Sequence, residues 1–423
     1  VKKTLRYLLW GLLALLLTTL AALVLIVKLV LAPSAGEWSA RMQAGPIGVE
    51  VGVPTAIRLA TSHWVAPRLH GRSIDTRHGP VRFAWNEAGR TLEAHCAPCG
   101  ATVPALGAQP LQLAHLRITL RREGDAMAGR LEAAPAVASA QAPAGTVLRG
   151  QWSGQLSQRA LRIDLDMADS PIAHWYAVFV PALPELQRAQ IDGTLGLRVQ
   201  ATQPSGEFSV RPRIAQFSVG GLGTEAMLGA RTACGAPSRL GRDSWLARAV
   251  IAAEDQRFFQ HPGYDLVELT AALEGNQKEG VRERGASTLT QQLAKMLVTG
   301  GERTVERKLR ELLYAVEMEQ TLGKARILQL YLDNAPWGPG TLCGAEAAAR
   351  HYFKRSAARL EPAQAVWLAS MLHAPVLAAE RWAREGSLDA KRLQWVAEGV
   401  RGINRRQREA LLKSVETARY PPP

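Results

Sequence analysis

Cysteine is scarce, with four in 423 residues. Cys96 and Cys99 form one C-x-x-C, and no second pair at zinc-ligand spacing follows it. His95 beside Cys96 does not make a convincing ligand set. That leaves a redox pair, half a zinc site or a local disulfide, and an oxidising compartment favours the disulfide. Cys234 and Cys343 are either a second bridge or two buried thiols. No S-x-x-K occurs anywhere, so a serine nucleophile with its lysine one turn away is absent from these residues. Acidic side chains are also in deficit, 37 against 51 Lys and Arg, for a formal net charge of +14. The expected partner is anionic; on charge alone it is nucleic acid, a lipid head group or a pyrophosphate.

One long stretch lacks charge altogether. It runs from Tyr7 to Val27 and continues past Lys28 to Ala32. A bilayer span needs about 20 such residues. Lys2, Lys3 and Arg6 precede it and place the N-terminus in the cytoplasm. A cleaved signal peptide is the alternative, but its apolar core is typically about 7–15 residues. The expectation is therefore a single-pass anchor in the cytoplasmic (inner) membrane with the bulk of the chain on the periplasmic side. Nucleic acid then drops out as a partner.

Beyond the anchor the hydrophobic period is two. Leu116, Ile118 and Leu120 alternate with Arg117, Thr119 and Arg121; Leu161, Ile163, Leu165 and Met167 alternate with Arg162, Asp164 and Asp166. Leu195, Leu197 and Val199 repeat the pattern. Such alternation predicts strands with one buried face. A helix is expected to interrupt them from Pro171 to about Gln190. No catalytic constellation occurs here. The region distantly resembles the curved, lipid-handling sheets of AsmA-like envelope proteins; a spacer or docking module is the plainer reading. Gly220 to Gly241 is glycine-rich and reads as a boundary, after which the period becomes helical. The expected fold class is multidomain: residues 1–32, a cytoplasmic tip and transmembrane helix; 33–223, a β-rich accessory region; 242–390, a mainly α domain; 391–423, a basic C-terminal tail.

The chemistry is concentrated between Ala252 and Glu311. A first piece, AAEDQRFFQHPG, sets Glu254 and Asp255 beside Phe258 and His261. Alone, the acidic pair would read as an exposed helix end. A second, RGASTLTQQLAKML, puts Thr288, Gln291, Gln292 and Lys295 at i, i+3, i+4 and i+7, on the helical face opposite Leu289 and Leu293. That face is either solvated or a set of donors for a pyrophosphate, and Ser287 can cap its start. In a third, RTVERKLRELL, Arg307 and Glu311 stand four apart, the spacing of an ordinary helix salt bridge. Together they offer a carboxylate as base, cations for a leaving group, and a second carboxylate.

These motifs resemble glycosyltransferase family 51, the peptidoglycan transglycosylases of class A penicillin-binding proteins and their monofunctional relatives. The family's E-D-x-x-F-x-x-H-x-G is filled by Glu254, Asp255, Phe258, His261 and Gly263. Its G-x-S-T-x-T-Q-Q-L-x-K-N is met from Gly285 to Lys295, with Met296 in place of the asparagine. Its R-K-x-x-E is Arg307, Lys308 and Glu311. In the fourth, I-L-E-x-Y-L-N, Gln329 and Asp333 depart from Glu and Asn. The resemblance covers about Ser244 to Pro375.

It implies a lysozyme-like transglycosylase domain that polymerises lipid II with inversion at the donor sugar, without transpeptidase activity. Glu254 is then the base and Glu311 the second catalytic carboxylate, acting on its own or through a divalent metal, Mg or Mn; no organic cofactor is expected. Asp255, Phe258, His261, Ser287, Thr288, Gln291, Gln292, Lys295, Arg307 and Lys308 are implied to bind or position substrate. Implied partners are lipid II, the growing glycan strand, the cytoplasmic membrane and other cell-wall synthesis proteins. Leu266, Val267, Leu269 and Leu273 are candidates for an apolar jaw in the membrane. The alternatives are a lysozyme-like peptidoglycan hydrolase and a non-catalytic envelope scaffold.

Overall fold

A computed structural model describes residues 32–33, 39–44, 47–76, 78–101, 111–139, 141–157, 160–275, 287–301, 304–417 and 420. The apolar run from Tyr7 to Val27, Gly285 of the second motif and the proline end of the chain lie outside these residues. Among the described residues no helix is long and apolar enough to cross a membrane. The described chain divides into two units. One holds the residues up to 181 together with 194–214; the other holds 182–193 and those from 215 onward.

The first unit is β-rich, as the period-two pattern demands, and holds all of the main sheet except residues 190–193 and 215–220. A hairpin, β1 (Ser39–Ala44) and β2 (Ile47–Gly52), precedes two short helices, α1 (Val53–Ala60) and α2 (Ala66–Leu69). Strands β3 (Ser73–Thr76), β4 (Gly79–Asn86), β5 (Thr91–Cys96), β6 (Cys99–Ala101), β7 (Leu111–Glu123), β8 (Ala126–Pro135), β9 (Leu148–Leu156), β10 (Leu161–Pro171), β11 (Gln190–Gln203) and β12 (Phe208–Gly220) form one sheet. Its order is β12-β11-β10-β9-β8-β7-β5-β4-β3, with β6 beside β7. The register sets Leu165 opposite Trp152 and Met167 opposite Gly150, so apolar residues of neighbouring strands share a face. That face packs under α3 (Ile172–Phe179), whose Trp175 and Val178 meet Leu148 and Met167. At another place Val53 and Ile57 of α1 pack on Met127, Leu156 and Leu161. Cys96 and Cys99 are joined as a disulfide.

The helix expected from Pro171 to Gln190 is shorter. It ends at Phe179, and one 3-10 turn follows at Pro184–Gln187. Pro181 and Pro184 explain the break, since each lacks an N–H and disfavours helix in the residue before it.

The second unit is helical. Its described helices are α4 (Trp245–Glu254), α5 (Leu266–Gly275), α6 (Leu289–Ala294), α7 (Val305–Thr321), α8 (Gly323–Asn334), α9 (Ala345–Phe353), α10 (Pro362–Ser370), α11 (Pro375–Glu385), α12 (Ala390–Gly399) and α13 (Arg405–Thr417). Residues 391–423, expected as a basic tail, are largely folded: Leu393, Val396, Ala397, Val400 and Leu411 are buried. Their apolar spacing on two amphipathic helices was outweighed, in the sequence, by their charge.

The glycine-rich stretch after Gly220 is fastened down rather than loose. Leu222 and Thr224 donate their N–H groups to the buried Glu317 carboxylate at 2.7 and 3.2 Å. Ser238 donates its N–H and hydroxyl to Asp333 Oδ1, both at 2.8 Å. Cys234 and Cys343 form the second disulfide. Asp333, which departs from the family's asparagine, thus has a structural task here. Helix α7 carries much of this stitching, because Arg310 also pairs with the buried Glu185 at 2.8 Å.

Replacing Glu317 by Ala would leave two N–H groups of the 222–224 segment without their acceptor. We expect a loss of about 2–3 kcal/mol in a denaturant titration. A change of about 0.5 kcal/mol or less, the size of an ordinary surface substitution, would mean that the segment is held by something else.

Candidate active site

Helix α4 starts on a Ser244 cap, whose side chain accepts from Ala247 N–H. It buries Leu246, Ala249, Val250 and Ala253, and it ends on Glu254. The Glu254 side chain is 9% exposed. Its Oε2 accepts from Gln292 Nε2 at 3.1 Å, and its Oε1 from Arg392 Nη2 at 3.0 Å. Desolvation pushes its pKa above the ordinary carboxylate range. The Arg392 charge and the Gln292 hydrogen bond pull the other way, and the Asp255 charge adds to the rise. A carboxylate set so is suited to accept a proton near neutral pH.

Asp255 and His261 do not reach outward. His261 Nδ1 accepts from Gly263 N–H at 3.2 Å, so its Nε2 carries the proton and donates to Asp255 at 3.0 Å. Asp255 Oδ2 also accepts from Leu289 N–H at 2.9 Å, at the start of α6. Gly263 has φ +93°, and a Cβ there would lie 2.9 Å from Ala315 O. That turn presents Gly263 O to the Thr288 hydroxyl at 2.8 Å. The first two motifs are therefore laced together by hydrogen bonds, which is why they need fixed spacing.

Several residues expected to bind or position substrate have structural work in the fold. Phe258 is wholly buried, with the Lys324 ammonium 4.4 Å from its ring centre. Thr288 caps α6 in place of Ser287, and Gln291 closes the capping box, accepting from Thr288 N–H at 3.1 Å. Gln292 serves Glu254 and accepts from Tyr331 OH at 2.9 Å. The regular helix is also shorter than its periodicity suggests. A π turn at Lys295–Thr299 follows α6, and widening the helix takes Met296 and Leu297 off the face that buries Leu289 and Leu293. It leaves Lys295 exposed.

The second carboxylate lies at the other end of α6. Thr304 caps α7 by accepting from Arg307 N–H at 3.1 Å. About two turns in, Glu311 is fully buried, with Oε1 on Arg307 and Oε2 on Lys308 Nζ at 2.7 Å. Salt-bridge spacing of the ordinary kind belongs to a helix surface, but Arg307 is only 8% exposed. Its charge is drawn inward by Glu311, and Val305, Leu309 and Leu312 are left half-buried. Lys308 also donates to Ser287 Oγ at 2.6 Å. Burial first, then the charges of Arg307 and Lys295, bring the Lys308 ammonium down to about 8. Ser287 stands just ahead of the α6 cap, five residues before Gln292. One short helix thus ties a desolvated carboxylate to a cation cluster.

Among the described residues no divalent metal site is assembled. Both Glu311 oxygens face cationic groups, and among the described residues no group of three or more Asp, Glu, His or Cys could hold an ion.

Arg392 and Tyr331 were not picked out from sequence as site residues. Arg392 lies in the stretch taken for a tail, 138 residues from Glu254. Tyr331 belongs to the fourth motif, where its buried ring reads as core.

Residues 242–400 match the model of the Transglycosylase family. A biosynthetic peptidoglycan transglycosylase from Alcanivorax borkumensis is 50% identical over 133 residues, 31% of this chain and 54% of that protein. One from Nitrosomonas eutropha is 48% identical over 130 residues, 31% of this chain and 53% of its own. One from Bordetella pertussis is 48% identical over 134 residues, 31% and 55%. The chain thus spans about half the length of the curated relatives it matches.

Gly263→Ala would force a side chain into the left-handed region and against Ala315 O. We expect a loss of about 1–2 kcal/mol from backbone conformation alone, read as a lowered Tm. An unchanged Tm would show that the turn adapts freely and does not set the position of Thr288.

Proposed function

We propose that the helical unit polymerises lipid II, joining the acceptor sugar to a glycan strand carried on undecaprenyl pyrophosphate. The observation that carries this is the arrangement around α6: a desolvated carboxylate with a raised pKa, tied through one helix to Lys308, Arg307 and Glu311. The matched relatives bear the name of biosynthetic transglycosylases, which supports synthesis over hydrolysis or a scaffold role.

In this reading Glu254 removes the proton of the acceptor hydroxyl as its oxygen attacks the donor's anomeric carbon. The bond from that carbon to the pyrophosphate oxygen breaks, and attack from the opposite face inverts the configuration. The pyrophosphate leaves as an anion, so fixed positive charge beside it lowers the barrier. Lys308 and the exposed Lys295 are the cations placed for that; Glu311, itself paired with Arg307, holds Lys308 in position. Glu254 need not form a covalent intermediate, since inverting sugar chemistry uses one carboxylate as base.

The membrane placement belongs to the same proposal. Val267 and Leu269 of α5 are exposed, as is the nearby Phe259 in sequence, and they supply an apolar surface for a lipid-linked substrate. The side chain of Leu273 lies outside the description. The N-terminal anchor, the periplasmic position of both units, the lysozyme-like arrangement and contacts with other cell-wall synthesis proteins complete the reading.

Purified protein incubated with labelled lipid II should yield glycan strands. Glu254→Gln keeps the shape but cannot take the proton, so turnover should fall about 10²–10⁴-fold. A folded Glu254→Gln protein with wild-type turnover would sink the assignment.

Lys308 gives a second, independent expectation. Its ammonium is charged below about pH 8 and neutral above. Since kcat/KM reports groups of the free enzyme, it should fall as pH rises through that value. Lys308→Arg, always charged, should remove this limb. A profile flat across it in the wild type would exclude Lys308 from donor capture.

A further inference from the structure

The Glu254 carboxylate is held from three helices. Arg392 approaches from α12, Gln292 from α6 and, behind Gln292, Tyr331 from α8. Asp255 is the remaining charged neighbour, and His261 is bonded to it. A base must be aimed as well as ionised, because misplacement by about 1 Å can cost 10²-fold in rate. Gln292 is the weak point of that aim. Its amide oxygen and nitrogen are nearly the same size, so the group could turn over and face Glu254 with a carbonyl.

Tyr331 decides which way it lies. The phenol is buried, and burial, with the charges of Glu254 and Asp255, holds its pKa well above the usual phenol value. It stays protonated and donates to Gln292 Oε1. That leaves Nε2 as the only amide group that can meet Glu254. Arg392 works on the other oxygen and also donates to Ala253 O at 2.8 Å, so it is fixed to the last turn of α4. The cation and the carboxylate therefore move together with that helix end.

We propose that Tyr331, acting through the Gln292 amide, and Arg392 are positioning residues that set the orientation and charge of the Glu254 carboxylate. The inference rests on the proposed reaction for its rate consequences, though not for its electrostatic ones. Each carboxylate oxygen accepts one hydrogen bond from these partners and retains a lone pair for the acceptor hydroxyl. In Tyr331→Phe the amide is free to turn, and the base loses its aim. In Arg392→Gln the nearest positive charge is gone, and Glu254 protonates at higher pH.

The test uses the full chain with lipid II and two readouts. Tyr331→Phe should lower kcat roughly 10–100-fold, the range of one hydrogen bond to a charged group, with KM unchanged. Arg392→Gln should move the acid limb of the pH–rate profile up by about one unit or more, as loss of an adjacent opposite charge does. Activity should recover toward wild type at higher pH, and Arg392→Lys should restore most of the original profile. The second readout does not need turnover. The 13C-carboxylate resonance that disappears in Glu254→Gln should titrate at higher pH in Arg392→Gln than in wild type. If that resonance titrates unchanged, or if both variants lose activity equally at every pH alongside a lowered Tm, these residues only support the fold and the proposal is overturned. Failure of the wild type to polymerise lipid II, with the resonance still shifting, would instead count against the reaction and uphold the positioning role.

Discussion

Removing a carboxylate from water costs several kcal/mol unless nearby groups replace its hydration. The helical unit does this repeatedly, and its site follows from the difference between two of those carboxylates. Glu311 lies between two cations on its own helix. Glu254 has one cation and one neutral amide, with a second acid beside it. The first arrangement fixes charge in place; the second leaves a group within reach of protonation. Two residues of one chemical type are thereby given different work by their neighbours.

Helix α6 is what makes the two environments one site, and it has only six residues. A helix so short does not hold itself together. It is held from outside, by Asp255 on the Leu289 N–H, by Gly263 O on its cap, and by Thr290 donating to Glu319 at 2.5 Å. Much of the motif pattern is thus the cost of a stable platform rather than a list of substrate contacts. Thr288 and Gln291 show this most plainly, since their polar atoms are spent on the capping box.

That distinction marks where sequence reading succeeds and where it stops. Strands β7, β10 and β11 were legible because alternation reports a half-buried sheet directly. Glu254, Lys308 and Glu311 stood out as candidates because charge at motif spacing carries chemistry. The π turn was not, since Leu289, Leu293, Met296 and Leu297 fit an unbroken helical stripe equally well. Nor was the burial of Arg307, which follows its pairing with the buried Glu311. Arg392 was hidden by a compositional average: a basic stretch reads as a tail until Leu393 and Val396 are seen to be core.

The segment from Leu222 to Ser238 carries the argument one step further. Its glycines mark it as a joint between regions, yet its polar groups end on Glu317 and Asp333, both buried. Buried carboxylates that accept backbone N–H groups are costly to leave without them. The segment is therefore part of what allows α7 and α8 to keep acids in their interior. Those same helices carry Glu311 and Tyr331, one in each half of the site. A glycine-rich run can thus act as fixed scaffolding, its freedom used to reach two acceptors and its mobility removed once it has reached them.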